Sequence, residues 1–243
     1  MNQVACIITG GESDMNITVE KRVEGAKKAV GLTVMIDVFR AFTLEAYAFD
    51  QGCEKIILVS SIQQAFALKQ KHPEYVLVGE RDGVRIEGFD FGNSPSIIRS
   101  VDLSGKTLVH TTTNGVSGIH HAKHASSIVT GAFVNAAAAV RYIKSQNPAT
   151  VSLVAMGWKE RDTEEDLLCA EYMKSLLQGR KMEDIDERLQ QLRDQEGKKF
   201  FNPATQDIFP EADFSACIAR DIFDFAIVIE RGEEYDTARC IHA

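Results

Sequence analysis

Apolar positions along this chain gather in short, almost unbroken runs at 32–36, 55–59, 75–78, 106–110, 127–130, 150–155 and 225–229. Between these runs the apolar residues recur every three or four positions, over 41–51, 62–71, 115–124, 135–145, 163–177, 183–196 and 213–222. The first pattern predicts strands buried on both faces, because a half-exposed strand would alternate apolar with polar. The second predicts helices that lay one face on a core. Strand and helix take turns, which predicts an α/β protein with three α/β/α layers around a largely parallel sheet. The units at 54–71 and 126–144 share a strand–loop–helix layout. That layout is compatible with internal duplication, although any alternating α/β chain produces it. The expected division is one domain over residues 1–243, with two similar halves of roughly 1–125 and 126–243 as the alternative. The polar stretch 195–212 holds Pro203 and Pro210 and reads as an internal loop.

Composition narrows the classes. The chain has 243 residues, 44% hydrophobic and 26% charged, the balance of a protein with a packed core. Its net charge of −8 opposes nucleic acid and anionic membranes, and no cluster of Lys and Arg with interleaved aromatics offsets it. A small anionic substrate remains compatible, because a few cations in one cleft override the global field. No apolar run reaches the length of a membrane-spanning helix. Residues 1–10 lack the basic start of a signal peptide. The five cysteines, Cys6, Cys53, Cys169, Cys217 and Cys240, are scattered and form no Cys-x-x-Cys. They point to reduced thiols and a cytoplasmic protein. A homodimer is an assembly the sequence leaves open.

In parallel sheets, ligands bind beyond the carboxyl ends of the strands. Here those ends are unusually polar. Asp37 and Arg40 follow the run at 32–36, and Glu80 and Arg81 follow 75–78. Thr111, Thr112, Thr113, Asn114 and Gly115 follow 106–110, Asn135 follows 127–130, and Glu165 and Asp166 follow 150–155. A hydroxyl-rich turn with Asn and Gly at a helix start suits an anion, and it equally suits an N-cap. Asp37 is a candidate Mg²⁺ ligand or nucleophile, and Arg40 a phosphate clamp; the pair is also a plain local ion pair. Glu80 and Arg81 repeat the acid-plus-cation theme. Glu165 and Asp166 offer further Mg²⁺ ligands, or partners for a helix dipole. His120, His121 and His124 read as a solvated helix face rather than a metal site.

Several phosphatase chemistries are excluded by absence. No cysteine is followed by Arg at the Cys-x₅-Arg spacing, no Arg-His-Gly occurs, Asp37 does not begin an Asp-x-Asp, and no P-loop is present.

The segments Ile36-Asp37-Val38-Phe39-Arg40-Ala41, Gly79-Glu80-Arg81, Glu87-Gly88-Phe89-Asp90-Phe91-Gly92-Asn93-Ser94-Pro95 and Thr111-Thr112-Thr113-Asn114-Gly115 resemble, in order and spacing, those of the 2-phosphosulfolactate phosphatase family. Gly131-Ala132-Phe133-Val134-Asn135 and Glu165-Asp166-Leu167-Leu168-Cys169-Ala170 continue the likeness. The resemblance implies an α/β/α hydrolase that uses Mg²⁺ to release phosphate from 2-phospho-3-sulfolactate, a step toward coenzyme M in organisms that make it. The expected mechanism has Asp37, with Glu165 or Asp166, holding Mg²⁺. Arg40, Arg81 and the 111–115 turn would bind the anionic groups of the phosphate ester, and Glu80 would position water. Attack by water and attack by Asp37 both fit. The rivals are a non-catalytic anion-binding or regulatory protein and a phosphoryl transferase.

Overall fold

The computed structural model describes residues 15–242. Cys6 and the 1–10 segment lie outside them. Strand β1 (Asn16–Lys21) and helix α1 (Arg22–Lys28) come first. Then β2 (Gly31–Ile36) leads into α2 (Ala41–Asp50), β3 (Lys55–Leu58) into α3 (Ile62–Lys71), and β4 (Val76–Arg81) turns straight back as β5 (Val84–Arg85). A short α4 (Pro95–Ile98) precedes β6 (Thr107–Thr111) and α5 (Gly115–His121). Next come β7 (Ala125–Gly131), α6 (Ala136–Gln146), β8 (Thr150–Ala155) and α7 (Glu164–Leu177). Helix α8 (Ile185–Gln191), a run of 3-10 turns, α9 (Glu211–Ile218), β9 (Phe225–Glu230) and β10 (Asp236–His242) follow.

The three-layer α/β/α architecture is present, around one ten-stranded sheet in the order β1-β8-β2-β7-β9-β10-β3-β6-β4-β5. Alternate side chains of each strand feed different layers. Met35 joins Ile56, Leu58 and Leu108 in a core shared with α1, α2 and α5. Val34 and Ile36 point the other way, into a core with α6 and α7, while Ile57 and Val109 pack toward α3. Helix α2 lies in the middle: every residue from Ala41 to Phe49 is buried, so its apolar character all round has a direct cause.

The sheet is mostly parallel, but its direction reverses. β1, β8, β2 and β7 run together as one block, and β3, β6 and β4 as another. The antiparallel strands β9 and β10 join the blocks, which leaves them pointing opposite ways. The largely parallel sheet is present, but the strand ends expected along its one edge are split between two. Laid flat, the six steps from β2 to β4 span about 29 Å. Yet Asp37, just past β2, and Glu80, in β4, line one cleft. A flat sheet would not place them so, whereas the twist that strands carry allows the approach.

Several local expectations change too. The helix at 115–124 stops at His121, so His124 lies beyond it. The helix at 183–196 breaks after Gln191 into 3-10 turns. Asp82 and Gly83 both have positive φ and make the two-residue turn of the β4–β5 hairpin. Among the described residues no helix is long and apolar enough to cross a membrane.

Candidate functional site

A small cleft is lined by residues from both strand blocks. The segment after β2 gives it Asp37 and Arg40, β4 gives Glu80, the turn before α5 gives Thr113 and Asn114, and α7 gives Glu165 and Asp166. Lys199 enters from the 195–212 stretch, which sequence alone reads as a polar loop. That stretch is 3-10 turns anchored by aromatic rings: Phe200 is fully buried, 5.1 Å edge-on from Phe39 and 6.0 Å from Phe209.

Four carboxyl groups face this small space, and each has a different setting. Asp37 Oδ1 accepts from the Ala41 amide at 3.3 Å, while Oδ2 accepts nothing from the described residues. Burial pushes Asp37 up to about 6, and the charge of Glu80 adds to the effect. Gly115 makes room for it, since a Cβ there would sit 3.0 Å from Asp37 Oδ2. Asp166 accepts from the Val38 and Gly157 amides at 2.8 Å each, tying the ends of β2 and β8 together. Burial first, then Glu165 and Asp37, holds its carboxyl well above the usual range. Glu165 is raised to about 7 by burial, against the pull of Lys199. Its Oε2 is buried without a hydrogen-bond partner. Glu80 is different again: it accepts from the amides of Thr113 and Gly83 at 2.7 and 2.6 Å and from the Thr113 hydroxyl at 3.0 Å. It braces two turns.

Arg40 lines the cleft, but its guanidinium is already engaged. It donates to Asp213 at 2.7 Å, to the Ile208 carbonyl at 2.8 Å and to the Gly83 carbonyl at 3.1 Å. Asp213 is in turn held by the Ser94 hydroxyl and the Ser96 amide. The free cation is Lys199: among the described residues it has no carboxylate within ion-pair distance, and rings of Phe39, Phe200, Phe209 and Trp158 stand 5.4–5.8 Å from its Nζ.

Other expected site residues do not reach the cleft. Arg81 follows Glu80 in β4, and consecutive strand residues face opposite ways. Its guanidinium binds the Glu80 carbonyl and the Thr111 hydroxyl, so Arg81 and the fully buried Thr111 satisfy each other. Thr112 accepts from the Val116 amide and caps α5. Asn135, past β7, accepts from the Ala132 amide and leaves its Nδ2 buried without a partner. Among the described residues the cysteines, Cys53, Cys169, Cys217 and Cys240, are free, and three are unsuited to attack: burial pushes the Cys53 thiol up to about 12 and holds those of Cys169 and Cys217 well above the usual thiol range.

Sequence reading missed Lys199, Asn93 and His110. Asn93 sits in a quoted motif and lines the cleft; His110 ends an apolar run and is fully buried. A polar residue closing a buried strand is the signal for His110. No local signal marks Lys199.

The acids fit a hard divalent cation. Glu165 presents an orphaned oxygen and Asp37 an open one, and the three carboxyls are raised chiefly by burial even though Lys199 pulls two of them down. Among the described residues no three Asp, Glu, His or Cys side chains form a metal shell by themselves. Mg²⁺ needs fewer, since it binds through one or two carboxylates and keeps several waters.

Fold and site together define an α/β protein with an acidic cleft that, among the described residues, holds one unpaired lysine, a setting for a small anion. The family follows from comparison with known proteins. The family model described as 2-phosphosulpholactate phosphatase matches residues 17–232. A Bacillus subtilis (strain 168) protein named "Probable 2-phosphosulfolactate phosphatase" is 32% identical over 85% of this chain and 90% of its own length. Proteins of the same name from Caldicellulosiruptor saccharolyticus and Carboxydothermus hydrogenoformans are 40% and 38% identical, over 59% and 70% of this chain and 61% and 68% of theirs. The chain belongs to the 2-phosphosulfolactate phosphatase family.

Proposed function

We propose that this cleft hydrolyses 2-phospho-3-sulfolactate to 3-sulfolactate and inorganic phosphate, with Mg²⁺ as cofactor. The observation that carries the reading is the gathering of Asp37, Glu165 and Asp166 opposite one unpaired cation, Lys199, in a chain whose family match runs nearly end to end. Asp37 Oδ2 and Glu165 Oε2 are the atoms suited to hold the cation. Bound there, Mg²⁺ would supply positive charge to the phosphoryl oxygens and to the departing oxygen. Lys199 attracts the phosphoryl group, and Asn114, at the start of α5, offers its amide group beside it. Asp166 and Glu80 fix the turns that carry these groups. Arg40 secures the wall. The overall exchange breaks the ester P–O bond and joins a water oxygen to phosphorus. One water proton ends on the sulfolactate hydroxyl. Such a reaction rests on positioning and charge stabilisation.

The test is phosphate release by the purified chain, with and without Mg²⁺, from phosphosulfolactate, phospholactate and phosphoglycolate. Turnover fastest on phosphosulfolactate, lost with EDTA and lost in Asp37→Asn, is the expected result. A folded chain that binds these esters in Mg²⁺ yet releases no phosphate would be an anion-binding protein, and the reading would be wrong.

A further inference from the structure

Behind the cleft lies a polar chain that the reaction as described does not use. Glu45 sits in the middle of α2 and His110 in β6, and both are fully buried. His110 Nδ1 lies 2.9 Å from Glu45 Oε1, and its Nε2 lies 3.2 Å from Asn93 Oδ1. Asn93 is nearly buried itself and lines both the acidic cleft and the adjoining cavity beside Arg85. The chain therefore runs from the centre of the molecule to the cleft wall.

Three polar groups in an apolar core are costly unless each finds partners. Glu45 is not even fully satisfied, since its Oε2 has no partner. Leu in place of His110 would avoid that burden, so retaining the group calls for a purpose at its outer end. That end is the Asn93 amide. A carbonyl oxygen only accepts, so the 3.2 Å contact is a hydrogen bond when His110 Nε2 carries a proton. This holds whether Glu45 and His110 are carboxylate and imidazolium or carboxylic acid and imidazole. With Oδ1 turned inward, the Nδ2 hydrogens are the part of the amide left for the cleft, and among the described residues they donate to nothing.

We propose that Asn93 anchors an oxyanion of the substrate through Nδ2, and that His110 and Glu45 are positioning residues that hold its amide in the donating orientation. This rests on the phosphatase reading for the identity of the substrate but not for the presence of a bound anion. The oxyanion is a phosphoryl or a sulfonate oxygen, two chemistries with the same geometry. Flipped, the amide would present Oδ1 among the carboxylates and repel either one.

The experiment is anion affinity by calorimetry in Mg²⁺, with inorganic phosphate in one arm and 3-sulfolactate in the other. It needs no turnover, so it stands apart from the phosphate-release test. Asn93→Ala is expected to weaken at least one of the two anions tenfold or more, and that arm names the end held. His110→Leu is expected to match it, while His110→Gln, which can still donate to Oδ1, stays within threefold of the parent. Asn93→Ala binding both anions within twofold of the parent overturns the anchoring role. Normal binding by His110→Leu overturns the positioning role. If His110→Leu does not fold, the ¹H–¹⁵N signals of the Asn93 side-chain amide in the parent decide. A shift on adding either anion is required, and its absence refutes the proposal.

Discussion

Arg40 and Asp213 face each other at 2.7 Å with almost no contact with water, although they lie on segments that sequence treats as unrelated. Breaking a buried pair from one side leaves an uncompensated charge. Asp213→Ala is therefore expected to lower unfolding free energy by about 3–5 kcal/mol, read by urea titration. Arg40→Lys should lower it too, because an ammonium cannot reach Asp213, Ile208 and Gly83 together. A variant as stable as the parent would return Arg40 to the role of a spare phosphate clamp.

Lys199 is the opposite case, a cation whose charge is not cancelled. Lys199→Gln should reduce kcat/KM by roughly 10²–10³, the scale of a lost electrostatic donor. Lys199 also lowers the carboxyls of Asp37 and Glu165. Its loss should move the acid limb of the pH–rate profile upward. A lower rate with an unmoved limb would place Lys199 away from both acids.

Stability of the metal-free chain should depend on pH in an unusual direction. Asp37 and Glu165 are raised to about 6 and about 7, chiefly by burial. Unfolded, both release their protons near pH 4. Between those limits the folded chain binds more protons, so stability falls as pH rises from about 4 to about 7. Thermal melts from pH 5 to 8 in EDTA check this. Glu165→Gln should flatten the curve and gain roughly 1–2 kcal/mol at pH 8, while phosphate release is lost. Addition of Mg²⁺ should restore stability to the parent but not to that variant.

Gly83 joins the hairpin to the 195–212 stretch. At φ +85° an added Cβ would meet the Phe209 ring at 2.4 Å, and the Gly83 carbonyl accepts from Arg40. Gly83→Ala should cost more than the roughly 1–3 kcal/mol of a left-handed non-glycine residue alone. Gly105→Ala serves as the control, since its φ is +66° and nothing lies within 4 Å of the added atom. Equal losses in the two would mean that the Phe209 contact is unimportant.

The parallel core was legible because its strands are continuous apolar runs: β2, β3, β6 and β8 fall where the pattern puts them. β1 and β10 were not, since Asn16–Lys21 is a largely exposed edge and Asp236–His242 mixes polar with apolar residues. The acids of the cleft could be read from their places after strands. Arg81 could not, because it stands one residue beyond Glu80 and the pleat sends it to the other face. Lys199 and the Asn93–His110–Glu45 chain depend on contacts between distant segments, which no local pattern encodes.

The reversal of strand direction ties the cleft to residues 225–242. β9 pairs with β7 on one side, β10 pairs with β3 on the other, and among the described residues no other strand bridges the blocks. As the chain leaves the ribosome, the two blocks cannot be stitched edge to edge until residues 225–242 have emerged. The pocket is thus finished only once those residues are in place, and nascent chains cut short before that point should carry every acid of the site without its activity.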